Sequence, residues 1–305
     1  MALNDTIAST SKWRSTAIPM ALRQANIQND VTEIRHGNKR VRQAFKRLRH
    51  GWDWYDPGAA DIDFDDLSES LDSAAYDAFH GSAYVCCFTP AGDDTPQWQK
   101  YAGPDGFAIA IPEGVYLPVI GEHAPAPTRS PYIEEFPFRW LELKYDKASQ
   151  LEAAERAIWE LKGGLDEGAY IDAKHEPGDH FGSIFRDRGT SAYVDAVAAI
   201  KHKDFRSERE VRYAVSGPDN PLAIQSTPAG SDFVRITGAA RKPFSTSWDQ
   251  HDPAYYQSSS SVLPIREIRV GPRNAYTPTK TWLKSVLSAN GYHDVKVRPS
   301  RSPLR

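Results

Sequence analysis

Apolar positions recur at helical spacing in several stretches of the chain. In "NDVTEIRHGNKRVRQAFKRLRH", Ile34, Val41, Phe45 and Leu48 share one face and predict a helix with a buried stripe. Asp30 can cap it, and Glu33 stands at the capping-box position. "KASQLEAAERAIWELKGG" places Leu151, Ala154, Ile158 and Leu161 on one helical face, with Gly163 and Gly164 as its terminators. "TSAYVDAVAAIKHK" and "TPTKTWLKSVLSANG" predict two further helices, and "DAKHEPGDHFGSIFRDRG" between the helical stretches reads as a loop. Short apolar runs bounded by turn residues predict strands at "SAYVCCFT", "GFAIAIP", "FPFRWLELKY", "DFVRITG", "LPIREIRVGP" and "HDVKVRPS". Helices and strands mingle without a regular βαβ period, so the expected fold is one α+β domain over 1–305, with a flexible N-terminal segment over 1–20.

One further stretch, "SEREVRYAV", reads as the entrance to a strand. On an extended chain Glu208, Glu210 and Arg212 point to one side and Tyr213 to the other. Two carboxylates on one face repel. They fit either a solvated strand edge with Arg212 as counter-charge or an acid-bearing strand that lines an active site.

Charge is segregated near the N-terminus. The first predicted helix carries Arg35, Lys39, Arg40, Arg42, Lys46, Arg47 and Arg49, whereas residues 50–99 contain no Lys or Arg and include "DIDFDDLSESLDSAAYDAF". The expectation is that acidic segment and basic helix face each other or sit as solvated neighbours. A protein or nucleic-acid surface on the basic helix is the alternative. The net charge of −3 argues against coating nucleic acid through overall charge. The two cysteines, Cys86 and Cys87, are adjacent, which excludes a disulfide framework and a CxxC motif. No apolar run has bilayer length and no signal-peptide core is visible, so the expectation is a soluble cytoplasmic protein without a membrane partner. His175 and His180, with Glu176 and Asp179, lack the spacing of a zinc-binding helix, and no metal is expected.

In "CFTPAGDDTPQWQKYAGPDGFAIAI", Asp93, Asp94 and Thr95 can turn the chain and cap a short helix. Trp98 and Tyr101 lie three apart and can face one way, and Gly103 and Gly106 permit a tight return. This is either a loop anchored by its aromatics or an aromatic wall beside a pocket.

These pieces, with "ALRQANIQNDVTEIRHG", "KHKDFRSEREVRYAV", "IREIRVGP" and "LSANGYHDVKVRPSRSPLR", resemble the bacterial domain-of-unknown-function family numbered 2971 over about a third of the chain. That family's layout in turn resembles an ADP-ribosyltransferase fold. The resemblance implies cleavage of NAD as substrate, with a small-molecule nucleotide bound, a protein or nucleic-acid acceptor, and a role as bacterial toxin or anti-phage effector. Glu210 would be the ribose-contacting acid and Glu208 its helper. Trp98 or Tyr101 would stack on nicotinamide, and Thr89 would brace the acid. A carboxylate there would stabilise the oxocarbenium-like state formed as the glycosidic bond breaks. The family's His-Tyr-Thr strand has no counterpart here, because "LNDTIASTSKWRSTAIPM" holds no histidine. A non-catalytic relative that binds a partner through the basic helix is the competing expectation.

Overall fold

The structure is a computed structural model and describes residues 20–24, 31–49, 64–80, 83–103, 105–112, 115, 117, 138–174, 181–216, 224–226, 232–236 and 262–303. In chain order its elements are β1 (Met20–Gln24), α1 (Val31–Arg49), α2 (Phe64–His80), β2 (Ala83–Phe88), β3 (Phe107–Ala110) and β4 (Phe138–Glu142). There follow α3 (Lys147–Asp172), α4 (Phe181–Ala199), β5 (Val211–Ser216), β6 (Ile224–Ser226), β7 (Asp232–Ile236), β8 (Glu267–Val270), α5 (Tyr276–Ala289) and β9 (Lys296–Pro299). The mixture of helix and sheet is the expected α+β class. The strands form a six-stranded sheet, β4-β5-β2-β1-β7-β6, and a three-stranded sheet, β3-β8-β9. Contacts gather into two units: Leu22–Phe88 with Glu135–Phe233, and Met1–Ala21 with Thr89–Glu134 and Val234–Arg305. The proposed flexible segment lies outside the described residues, apart from Met20.

The first unit is built on helix stripes. Ile34, Val41 and Ala44 of α1 are buried with Leu151, Ala154, Ile158 and Leu161 of α3, and Phe45 and Leu48 pack against the same core. The acidic stretch, for which no element was expected, forms α2. Its Leu67, Leu71, Ala74 and Ala75 enter that core while Asp65, Asp66, Glu69 and Asp72 stay exposed. β5 lies between β2 and β4 and is antiparallel to both, with Arg212 opposite Cys87 on one side and Leu141 on the other.

Two expectations fail in α3 and α4. Gly163 and Gly164 do not end α3, which starts at the Asp146 cap and runs on to Asp172. A Cβ at Gly164 would lie 2.3 Å from the Phe185 carbonyl oxygen, and one at Gly168 2.7 Å from that of Gly182. The glycines therefore let two helix backbones touch, with the chains antiparallel. The supposed loop over Phe181–Gly189 is the first half of α4, for the same reason: Gly182 and Gly189 serve packing against α3 and do not break the helix. His175, Glu176, Asp179 and His180 lie outside the described residues.

In the second unit, β3 is antiparallel to β8, and β8 runs parallel to β9 through the crossover helix α5. Ile268, Val270, Leu283, Leu287 and Val297 are among its buried apolar residues. "SAYVCCFT" and "GFAIAIP", close in sequence, thus belong to different sheets. Among the described residues no helix is long and apolar enough to cross a membrane.

Candidate functional site

The Glu-x-Glu pair does not sit on a strand. Glu208 closes a 3₁₀ turn, Lys203–Glu208, and β5 starts only at Val211. Between the two glutamates Arg209 adopts a left-handed conformation (φ 45°, ψ 45°). The solvated-edge setting for the pair does not hold. β5 is an inner strand, and Glu208 and Glu210 are 5% and 6% exposed, so the edge is not solvated. The carboxylates meet cations in the interior.

Lys201 stands at the centre. It follows α4 directly, where Lys144 N–H donates to the Ala199 carbonyl (2.7 Å) and Lys201 N–H to that of Lys144 (3.1 Å). Its ammonium, 1% exposed, donates to Glu208 Oε2 at 2.8 Å and to Glu210 Oε2, and lies 3.3 Å from Glu33 Oε1. Arg212 supplies the second cation. Its Nε donates to Glu210 Oε1 (2.6 Å), one Nη to Glu33 Oε2 (2.5 Å) and the other to the Ala198 carbonyl (2.7 Å). Arg212 is therefore the counter-charge of Glu210, as the extended pattern suggested, but in a dry setting. Glu33 is the third carboxylate, and the expected Asp30 cap and its capping box with Glu33 lie outside the described residues.

Around this cluster the backbone is pinned as well. Glu210 N–H donates to the Tyr145 hydroxyl (3.0 Å). Buried Gln150 donates to the carbonyls of Lys144 (2.9 Å) and Lys201 (2.7 Å) and accepts from Arg40 Nε of α1 (2.8 Å). Burial works to raise the Glu210 pKa, but Arg212 and then Lys201 outweigh it and hold the carboxyl below its ordinary 4.5. Burial would likewise discharge Lys201, yet Glu210 and Glu208 keep its pKa above the usual lysine value. Burial dominates at the two thiols: Cys86 is pushed up to about 12, and Cys87 is also raised and donates to Glu210. Both stay protonated at neutral pH, the opposite of an activated nucleophile.

Both oxygens of Glu210 are thus occupied by cations. Among the described residues, Glu33, Glu208 and Glu210 share Lys201 and Arg212, in an interior where each charge must be paired. Chemically this arrangement ties α1, the 3₁₀ turn and β5 together.

The other expected residues lie in the second unit. Thr89 Oγ1 accepts from Ala91 N–H (3.2 Å) in a turn. Trp98 and Tyr101 lie in one π-helical turn, Trp98–Ala102, but do not face one way, since Trp98 is 2% exposed and Tyr101 40%. Trp98 Nε1 donates to Asp93 Oδ1 (2.9 Å). The same carboxylate accepts from Ser300 Oγ (2.5 Å) and Arg301 N–H (2.6 Å), and Arg269 lies 3.4 Å away. Trp98 is therefore an anchor, and only Tyr101 is presented. Asp93 is one of the three residues, with Asp94 and Thr95, expected to turn the chain here. It stays ionised because these donors outweigh its burial. Gly103, at φ 68°, makes the expected tight return.

A third feature is the outer face of α1. Arg35, Lys39, Arg42, Lys46 and Arg49 are all exposed and recur at alternating steps of four and three. They form one row about 21 Å long at 1.5 Å per residue. Arg42 pairs with Asp72 of α2 at 3.1 Å, and Arg47, beside the row, lies 3.7 Å from Glu155. The expected meeting of acidic segment and basic helix is thus seen at Arg42 and Asp72. Lys201 was not singled out from sequence, although a lysine directly after the apolar run Ala196–Ile200 was a usable signal. Comparison of the chain with protein-family models, with curated proteins and with solved structures finds no match.

Proposed function

We propose that this is a binding protein that presents the cationic row of α1 to an anionic partner. In this reading Glu208 and Glu210 belong to the scaffold that holds α1 in place. One observation carries it: five exposed cations share one face of a helix whose Glu33 is clamped by Arg212 and Lys201. A helix fixed by buried ionic contacts and an apolar stripe offers its charges in a set geometry, which lowers the ordering cost of binding. The test is retention on a polyanion column (heparin) in low salt. Wild type should be held, and a Lys39→Gln/Arg42→Gln/Lys46→Gln variant should pass through. Equal elution of the two would sink the reading.

A second reading is favoured by one feature of the same cluster. Glu33, Glu208 and Glu210 come from two of the pieces that resemble the bacterial family, and they are gathered at one place around Lys201 and Arg212. A cluster of carboxylates suits a positive charge developing on a ribose. On that reading the chain is an ADP-ribosyltransferase-like cytoplasmic enzyme that cleaves NAD, as a toxin or anti-phage effector. Tyr101 would be the exposed ring available for nicotinamide. Nicotinamide release by purified protein decides between the two. Turnover lost in Glu210→Gln, with the variant still folded, would put the enzyme reading first.

A further inference from the structure

We infer that the partner of the α1 row is the phosphate backbone of duplex DNA, bound without base readout. This rests on the reading of α1 as a binding face and names its ligand. The exposed side chains of α1 are Thr32, Arg35, Lys39, Arg42, Lys46, Arg47 and Arg49. A protein-binding surface needs a desolvated apolar or aromatic centre, and the exposed side chains described on α1 include none. Single strands are held by aromatic rings that stack on bases, yet Phe45 of α1 is packed against the core and the His36 ring lies half-buried, edge-on to His202. Duplex RNA is read across its minor groove through 2′-hydroxyls, which calls for neutral polar groups; α1 exposes only Thr32 of that kind.

What remains is a line of point charges and guanidinium forks, the chemistry that suits phosphate. A duplex presents one charge per roughly 1.7 Å of axis, so the row of about 21 Å always faces several phosphates. Arg42 and Asp72 are 68% and 70% exposed at their side chains, so their ion pair is worth little and exchanges readily for phosphate. Asp72 of α2 stands beside the row at Arg42 and makes the contact modest and strongly dependent on salt. Affinity should lie in the range of about 10⁻⁴–10⁻⁶ M usual for non-specific binding.

The experiment is fluorescence anisotropy of the full chain with labelled 20-base-pair DNA of two unrelated sequences, over a salt series. The two duplexes should bind alike, with log K falling on log salt at a slope of about −3, as three to four neutralised phosphates require. Lys39→Gln/Lys46→Gln should reduce that slope by about two, at roughly one per lysine. Asp72→Asn should tighten binding several-fold. These exposed substitutions leave the fold intact, which circular dichroism melting checks. Tighter binding of single-stranded DNA, duplex RNA or polyglutamate than of duplex DNA would overturn the assignment while keeping α1 as a binding face. Retention of all probes by the double lysine variant would overturn both.

Discussion

Replacing Glu210 by Gln tests whether the buried cluster is structural. On an exposed strand this change would alter stability by less than about 0.5 kcal/mol. Here Glu210 takes Arg212 Nε on one oxygen and Lys201 Nζ on the other. Glutamine keeps one acceptor oxygen and turns an NH₂ toward a cation. One charge-assisted hydrogen bond is lost, at about 1.5–3 kcal/mol, and a buried donor is left unsatisfied. Against this, the variant removes one of the carboxylates that share Lys201 and Arg212 and so eases their mutual repulsion. The net cost should be about 2–3 kcal/mol, below the 3–5 kcal/mol usual for breaking a buried pair. At roughly 2–4 °C per kcal/mol for a unit of this size, melting should fall by about 5–10 °C. Lys201→Met leaves three carboxylates around one arginine and should cost more. The pH dependence has a definite sign. Because Glu210 is held below its ordinary 4.5, its contribution is complete above that value and is lost as pH falls through the folded-state pKa. The gap between wild type and Glu210→Gln, followed by thermal melting from pH 7 to pH 3, should therefore close in acid. Both variants melting within about 1 °C of wild type at pH 7, or the glutamine variant being the worse of the two, would refute the ionic account.

Gly164→Ala should destabilise by about 1–3 kcal/mol because its Cβ meets the Phe185 carbonyl at 2.3 Å. Its neighbour is the control: nothing lies within 4 Å of a Cβ at Gly163, so Gly163→Ala should stabilise α3 by about 0.5–1 kcal/mol. Chemical denaturation of the two variants reads both signs, and like signs would contradict the close helix contact. Asp93→Asn removes the charge that holds Trp98, Ser300 and Arg301, so trypsin should cut after Arg301 faster than in wild type, as mass spectrometry would show. An unchanged cleavage rate would mean that this carboxylate does not anchor the C-terminal segment.

Elements whose signal is local were legible. The α1 stripe, the strands β2, β3 and β8 and the helix α5 all follow from apolar spacing and punctuation. α2 was hidden by its charge, although Leu67, Leu71, Ala74 and Ala75 keep helical spacing within the acids. The α3 glycines misled because glycine marks both helix ends and close helix contacts, and only the partner helix tells the two apart. Glu33 shows the limit of local spacing. Its position suggests a capping box, while the partners seen among the described residues lie 168 and 179 residues away, at Lys201 and Arg212. The site residues Glu208 and Glu210 were found by their proximity to each other, but the cations that set their role are tertiary neighbours, beyond any local pattern. Trp98 and Tyr101 obey helical spacing and still diverge, because the turn that carries them is a π-helix of five residues.

Arg209 separates the two glutamates, and its side chain is exposed. What the protein asks of that position is a backbone shape. With φ at 45° the chain reverses there, and two carboxylates from different local structures come round to one ammonium. Glycine, asparagine or aspartate adopts this shape readily, whereas a β-branched residue resists it. A library of substitutions at 209 should therefore sort by tolerance of positive φ, with charge and length irrelevant. The middle residue of "ERE" is a hinge pin whose chemistry is free to drift while its geometry is not.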